Sequence, residues 1–126
     1  MKPDVTSTHA DFQAHVLNYL REYHPGLKGL SQSKSELIAK FYALDLAAVD
    51  HIMADRYSVF GPRPRSPACM LRSYLLSLEL GVLSITAWVD QMSTVPLYAV
   101  LSGFDPDDIP GIGTFYDFFF CFTLID

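Results

Sequence analysis

The sequence predicts an all-α protein, a single domain of about six helices in an orthogonal or irregular bundle. Apolar residues recur at three- and four-residue intervals along most of the 126 residues, and no stretch alternates as a half-buried strand does. Hydrophobic residues make up 50% of the chain and aromatic residues 13%, which argues for a packed core and against intrinsic disorder. Within this one domain, residues 1–30 are predicted to supply an N-terminal helix and linker, and residues 31–126 one compact helical unit.

The first helix is predicted from about His9 to Tyr23. Thr8 is a suitable N-cap residue, and the sequence HPG at residues 24–26 ends the helix. Its apolar positions recur at helical spacing and predict the buried face: Phe12, Val16, Tyr19, Leu20 and Tyr23.

A second, longer helix is predicted from about Glu36 to Arg56, with Ser33 or Ser35 as its N-cap. Its predicted apolar stripe has five members: Leu37, Phe41, Leu44, Ala48 and Ile52. The sequence SVFGPRPRSP that follows is too rich in proline for regular structure and is predicted to be extended.

A third helix is predicted from Ser66 to Leu80. Ser66 is its N-cap, Pro67 its first helical residue and Gly81 its end. Because this helix is apolar on most sides, we expect it to lie at the centre of the domain. The remaining helices are predicted at about residues 85–92, at about 96–101 and from near Gly113.

No motif in the sequence supports catalysis or metal binding. The acids of DPDD at residues 105–108 lack the spacing and the final Glu of an EF-hand, and we expect them to cap a turn led by Pro106. There is no GxSxG elbow and no complete phosphate loop, and four histidines show no metal-ligand spacing: His9, His15, His24 and His51. We therefore expect no cofactor, no metal, no small-molecule substrate and no catalysis by this chain alone.

Cysteine content and hydropathy predict a cytoplasmic protein that does not interact with membranes. Cys69 and Cys121 show neither a metal-binding nor a disulfide pattern, which is typical of free thiols in a reducing compartment. The first residues contain no apolar signal segment, and the longest apolar stretch contains Glu79 and Gly81 and is too short to span a bilayer.

Positive charge is confined to the N-terminal part of the chain. All nine Lys and Arg residues lie at or before Arg72, whereas residues 73–126 hold seven acids and no base. Four arginines with no acid between them are the candidate DNA-binding residues: Arg56, Arg63, Arg65 and Arg72. The stiff GPRPR arm and the helix N-terminus after it are predicted to bind a DNA phosphate or enter a narrow minor groove. The alternative is that Arg63 and Arg65 are solvated and that Arg72 pairs with an acid.

The last predicted helix holds more aromatic surface than one face can bury in a domain of this size. An exposed patch of this kind indicates a partner, so we expect self-association or docking onto another part of a larger protein. The candidate interface residues are Phe115, Tyr116, Phe118, Phe119 and Phe122. Trp88, in contrast, is expected to be an anchor of the core.

The order of these features resembles the N-terminal helical region of bacterial insertion-sequence DDE transposases. The resemblance covers about residues 60–120. Pro62–Pro67 match the family's Gly/Arg/Pro loop, and Leu71-Arg72 with Leu75-Leu76 match its Leu-Arg-rich helix. Trp88 matches the Trp-containing helix, and Gly113–Phe118 match the "TF..F" helix. In that family the region precedes a ribonuclease-H-like core whose three carboxylates hold two metal ions. Here no arginine follows Phe120, and the ending CFTLID shows no strand pattern. We therefore expect a chain truncated before that core, without its catalytic carboxylates.

Two functions remain open from the sequence. The first is a transposase N-terminal region that contributes DNA contact or self-association to DNA transposition and is inert alone. The second is a small helical protein-interaction module that uses its aromatic C-terminal helix as the partner surface. An enzyme with a site shared in an oligomer lacks any nucleophile or ligand spacing, and a peripheral membrane protein lacks Lys or Arg beside the aromatic helix.

Overall fold

A computed structural model of the protein describes residues 8–57 and 65–123, with side chains for residues 8–53 and 65–120. These residues form seven α-helices and one short 3₁₀ turn, and none of them lies in a β-strand. The predicted all-α class is confirmed. The elements in chain order are α1 (His9–Tyr23), the 3₁₀ turn (Pro25–Leu27), α2 (Gln32–Ala43), α3 (Ala48–Tyr57), α4 (Pro67–Glu79), α5 (Ile85–Thr94), α6 (Pro96–Ser102) and α7 (Ile112–Thr123).

Helix α1 begins where the sequence predicts. Thr8 is its N-cap, and the Thr8 hydroxyl accepts a 3.1 Å hydrogen bond from the backbone N–H of Asp11. Three of its predicted core residues are buried: Phe12, Val16 and Leu20. Tyr23, predicted on the same face, is the last residue of the helix and is 61% exposed.

The second predicted helix is wrong in its length, because it is two helices. Helix α2 ends at Ala43 and α3 begins at Ala48. Between them the Asp45 carboxylate accepts a 3.0 Å hydrogen bond from the Ala47 N–H, an alternative to the helical backbone bond. The turn interrupts the helical periodicity, so the predicted stripe does not continue into α3 and Ile52 is exposed.

The start of α2 also differs from the prediction. Ser31 is the N-cap, and its hydroxyl accepts a 3.2 Å hydrogen bond from the Lys34 N–H. The predicted caps Ser33 and Ser35 lie within the first turns of the helix. Serines at alternate positions are equivalent as caps in a local pattern, which is why the sequence did not distinguish them.

Helix α4 packs against α3, α6 and α7, as expected of a central helix. Ser66 caps it, Pro67 is its first residue, and Gly81 follows it with a φ of 74° that glycine adopts without strain. Trp88 is fully buried, which confirms its core role. Its indole N–H donates a 2.9 Å hydrogen bond to the buried Ser73 hydroxyl and so joins α5 to α4.

The turn between α6 and α7 positions the last helix. Gly103 ends α6 in the left-handed conformation, and Phe104 after it is fully buried. The Asp105 carboxylate accepts a 2.9 Å hydrogen bond from the Asp107 N–H, which confirms the predicted turn-capping role. Helix α7 then packs against α3, α4 and α5, so that all seven helices contribute to one hydrophobic core.

Candidate functional site

The N-terminus of α4, the predicted phosphate site, is bound by a carboxylate of this chain. The Ser66 hydroxyl accepts a 3.3 Å hydrogen bond from the Cys69 N–H and donates one of 3.0 Å to Asp50 Oδ1. The same Asp50 oxygen accepts a 3.0 Å hydrogen bond from the Ala68 N–H. An acid of α3 therefore supplies the negative charge that a helix N-terminus favours, at the place where the sequence predicts a bound anion.

Arg65 is bound to the turn between α6 and α7. Its Nη1 donates a 2.7 Å hydrogen bond to the Asp108 carbonyl, and its Nη2 lies 2.8 Å from Asp108 Oδ1. Only 8% of its side chain is exposed, and its guanidinium lies 5.6 Å from the centre of the Phe104 ring. A planar guanidinium suits this two-point contact, which connects the residue before the α4 N-cap to the turn between α6 and α7.

Arg72 lies inside the core and is only 2% exposed. Its guanidinium is 3.9 Å from the centre of the Phe12 ring, and its Nη1 donates a 3.2 Å hydrogen bond to the Ser102 carbonyl. Burial lowers the pKa of Arg72, with the nearby Cys69 opposing the shift, but an arginine remains charged at neutral pH. The guanidinium thus contacts a π face and a carbonyl, and Asp50 and Asp45 attract its charge from a distance instead of forming the predicted direct pair.

The burial of Arg65 and Arg72 contradicts their prediction as DNA-binding residues, and the alternative that Arg65 is solvated is also wrong. Both guanidinium groups are bound inside the fold, that of Arg65 to the Asp108 carbonyl and that of Arg72 to the Ser102 carbonyl. The side chain of Arg56 and the whole of Arg63 lie outside the described residues. DNA contact stays a prediction for these two arginines.

The predicted interface residues lie on different sides of helix α7. Phe115 and Phe118 are fully buried and belong to the core of this domain, which corrects their prediction as partner contacts. Phe119 is half-buried and packs edge-on against Tyr74, with ring centroids 5.0 Å apart. The side chain of Phe122 lies outside the described residues.

The opposite side of α7 carries an exposed apolar stripe. Ile112 is 38% exposed, Tyr116 is 58% exposed, and Phe120, which the predicted interface omitted, is 60% exposed. Residues four apart share one side of a helix, so these three side chains form a continuous line along α7. We call this line the α7 stripe (Ile112, Tyr116 and Phe120).

Sequence reasoning missed the acids that hold the arginines and the helix start. Asp50 and Asp108 are the partners of Ser66 and Arg65, at separations of 16 and 43 residues. No local spacing signals contacts over such distances. The absence of acids between Arg56 and Arg72 was the one available hint, since a buried arginine must find its partner elsewhere in the chain.

No protein-family model matches this chain, and no curated protein or solved structure is significantly similar to it. The resemblance to transposases therefore depends only on the residues given above. Within the described residues, no three His, Cys, Asp or Glu side chains are placed to hold a metal ion. In the same part of the chain, no helix has the length and apolar character needed to cross a bilayer.

Proposed function

We propose that this protein is a helical interaction module that associates with a second copy of itself through the α7 stripe. The main evidence for the proposal is the exposure of Tyr116 and Phe120 on a helix whose opposite side holds the fully buried Phe115 and Phe118. Aromatic side chains are enriched in protein interfaces, and the largest apolar patch on a protein surface is often functional.

The geometry of the stripe supports a two-fold contact. Ile112, Tyr116 and Phe120 are equally spaced along two turns of one helix, so an antiparallel pair of stripes places Tyr116 opposite its own copy. The outer residues then meet each other, Ile112 against Phe120, in both halves of the contact. A patch that can face itself in this way forms a closed, isologous dimer.

The area of the stripe indicates a weak dimer. The exposed parts of its three side chains amount to roughly 300 Å². Burying that area on both copies contributes about 15 kcal/mol at ~25 cal/mol per Å², against an association cost of about 4–15 kcal/mol. The difference lies between about 0 and 11 kcal/mol, and the middle of that range, about 4–8 kcal/mol, corresponds to a dissociation constant between about 1 µM and 1 mM.

The charge near the α7 stripe predicts how the strength of self-association changes with salt concentration. Asp117 is exposed next to Tyr116, and α7 contains no Lys or Arg. Two such surfaces repel each other, and added salt screens the repulsion. The dimer is therefore expected to strengthen as salt rises, whereas contact with DNA weakens.

Transposition is the process in which we place the module. This part of the proposal rests on the resemblance over residues 60–120 alone. In this role the module contributes self-association, and strand cleavage belongs to the catalytic core of the transposase.

DNA contact through Arg56 and Arg63 is the second candidate, because residues 57–64 contain no acid. The test is duplex binding at several salt concentrations by the protein and by Arg63→Gln. If Arg63 contacts a phosphate, its loss reduces the salt slope by about one unit. An unchanged slope removes Arg63 from the DNA interface.

Sedimentation equilibrium tests the self-association. The comparison is between the wild type, the double variant Tyr116→Ser/Phe120→Ser, and Tyr23→Ser, a control in which an equally exposed tyrosine of α1 is removed. We expect the wild type and the control to share one monomer–dimer equilibrium and the double variant to be monomeric. A wild type that is monomeric at about 1 mM in low and high salt contradicts the proposal, and so does a double variant that dimerises as the wild type does.

A further inference from the structure

A groove separate from the α7 stripe lies between α1, α6 and the turn after α6. Its volume is about 490 Å³, within the range of pockets that bind small ligands or peptide side chains. None of its lining residues belongs to the stripe: His15, Asn18, Tyr19, Glu22, Tyr23, Pro96, Val100, Asp105, Pro106 and Asp107.

The rim of this groove is negative. Glu22 from α1 and Asp105 and Asp107 from the turn line it, and no Lys or Arg does. Glu22 and Asp107 are exposed and have no ion-pair partner among the described residues. Anionic ligands are therefore repelled, and a cation is attracted from two sides.

One wall of the groove is aromatic. Tyr19 and Tyr23 lie one helical turn apart on α1, with ring centroids 4.8 Å apart and planes at 37°. Tyr23 is 61% exposed, so its ring face is accessible to a ligand. Aromatic faces attract organic cations, and guanidinium groups stack on them particularly well.

The histidine of the groove does not cancel this negative charge at neutral pH. His15 Nε2 donates a 3.0 Å hydrogen bond to the Phe104 carbonyl, and burial lowers the pKa of the imidazole, opposed in part by that bond and by Asp105. The neutral form is thus the one present at pH 7.

The arrangement suits an extended organic cation better than a metal ion. Its acids come from two separate elements, and within the described residues no three potential ligands converge on one point. A metal ion needs several oxygens at one centre, whereas a basic peptide can contact carboxylates and rings spread along a groove.

We propose that this groove binds an arginine side chain of a basic peptide segment of a partner protein. The guanidinium stacks on Tyr23 and Tyr19, and the Glu22 and Asp107 carboxylates accept its hydrogen bonds. The groove shares no residue with the α7 stripe, so peptide binding is a function separate from self-association.

The test is calorimetric titration with a capped five-residue peptide of alternating glycine and arginine, at neutral pH and low salt. We expect Glu22→Gln/Asp107→Asn to weaken binding about tenfold and Tyr23→Ala about threefold. Tyr23→Phe should bind as the wild type does, because it keeps the ring. Asp90→Asn, which removes an exposed acid of α5 outside the groove, serves as the charge control and should also bind normally. All the replaced side chains are exposed, so the variants are expected to fold.

Three results would overturn the proposal. The first is no heat of binding with wild-type protein at millimolar peptide. The second is equal weakening by Asp90→Asn and by the double variant, which would reduce the interaction to non-specific charge attraction. The third is binding of arginine amide or spermidine as tightly as the peptide, which would assign the groove to a free small amine instead.

Discussion

Substitution of Arg72 by alanine removes three interactions at once from the interior of the domain. The buried guanidinium donates to the Ser102 carbonyl, which contributes about 1.5–3 kcal/mol for a charged donor, and it lies over Phe12, which contributes about 2 kcal/mol in a desolvated site. The aliphatic stem also fills space beside α6. Relief of the desolvation cost of the charge offsets part of this sum, so we expect a net loss of about 3 kcal/mol.

Urea unfolding followed by fluorescence measures this loss, because Trp88 is the single tryptophan and is fully buried. Arg72→Met serves as the matched variant, since it keeps most of the volume and removes the charge. Its expected cost is only about 1 kcal/mol, the penalty for an unpaired Ser102 carbonyl. An alanine variant within about 0.5 kcal/mol of wild type would refute the structural role of Arg72. A methionine variant as unstable as alanine would show that charge, not packing, dominates.

Three further predictions concern the contacts that join the helices. Arg65→Ala should cost about 2 kcal/mol, and a double-mutant cycle with Asp108→Ala should give a coupling of about 1–2 kcal/mol by urea unfolding, whereas independent effects would contradict the pairing. Ser73→Ala should cost about 1–2 kcal/mol because it leaves the buried Trp88 N–H without an acceptor, and a stability equal to wild type would show that another acceptor replaces the serine. Burial lowers the pKa of His15 below its ordinary value of 6.5, so the unfolded chain takes up this proton first and stability should fall as the pH decreases below 6.5. His15→Gln keeps an N–H donor and should remove that part of the pH dependence, while an identical pH profile would contradict the assignment.

The start of a helix could be predicted where a single residue at that point of the sequence is a suitable N-cap. Thr8 and the Ser66–Pro67 pair each provide such a cap, and the structure places both as predicted. The break between α2 and α3 was not predictable from periodicity, since Asp45 is compatible with a helix and only its contact with the Ala47 N–H makes the turn.

The candidate site was less predictable than the fold because it depends on distant contacts. A run of arginines without acids looks like an exposed basic surface, yet Arg65 finds its acid 43 residues away. The aromatic run of α7 was recognised as too large for one face. The packing of α7 against α3, α4 and α5 determines which of these rings are exposed. In the structure Phe120 is exposed and Phe118 is buried.

The most direct test of self-association through the α7 stripe is site-specific cross-linking across the predicted two-fold axis. Tyr116→Cys and Ile112→Cys would be compared in a Cys121→Ser background with a short bis-maleimide reagent, while the buried Cys69 is left in place. In the antiparallel pair, two copies of residue 116 face each other, whereas two copies of residue 112 are about 12 Å further apart along the helix axis. We predict a cross-linked dimer for Tyr116→Cys that forms more readily as salt rises, and little for Ile112→Cys. Equal cross-linking at both positions, or none at residue 116, would contradict the dimer.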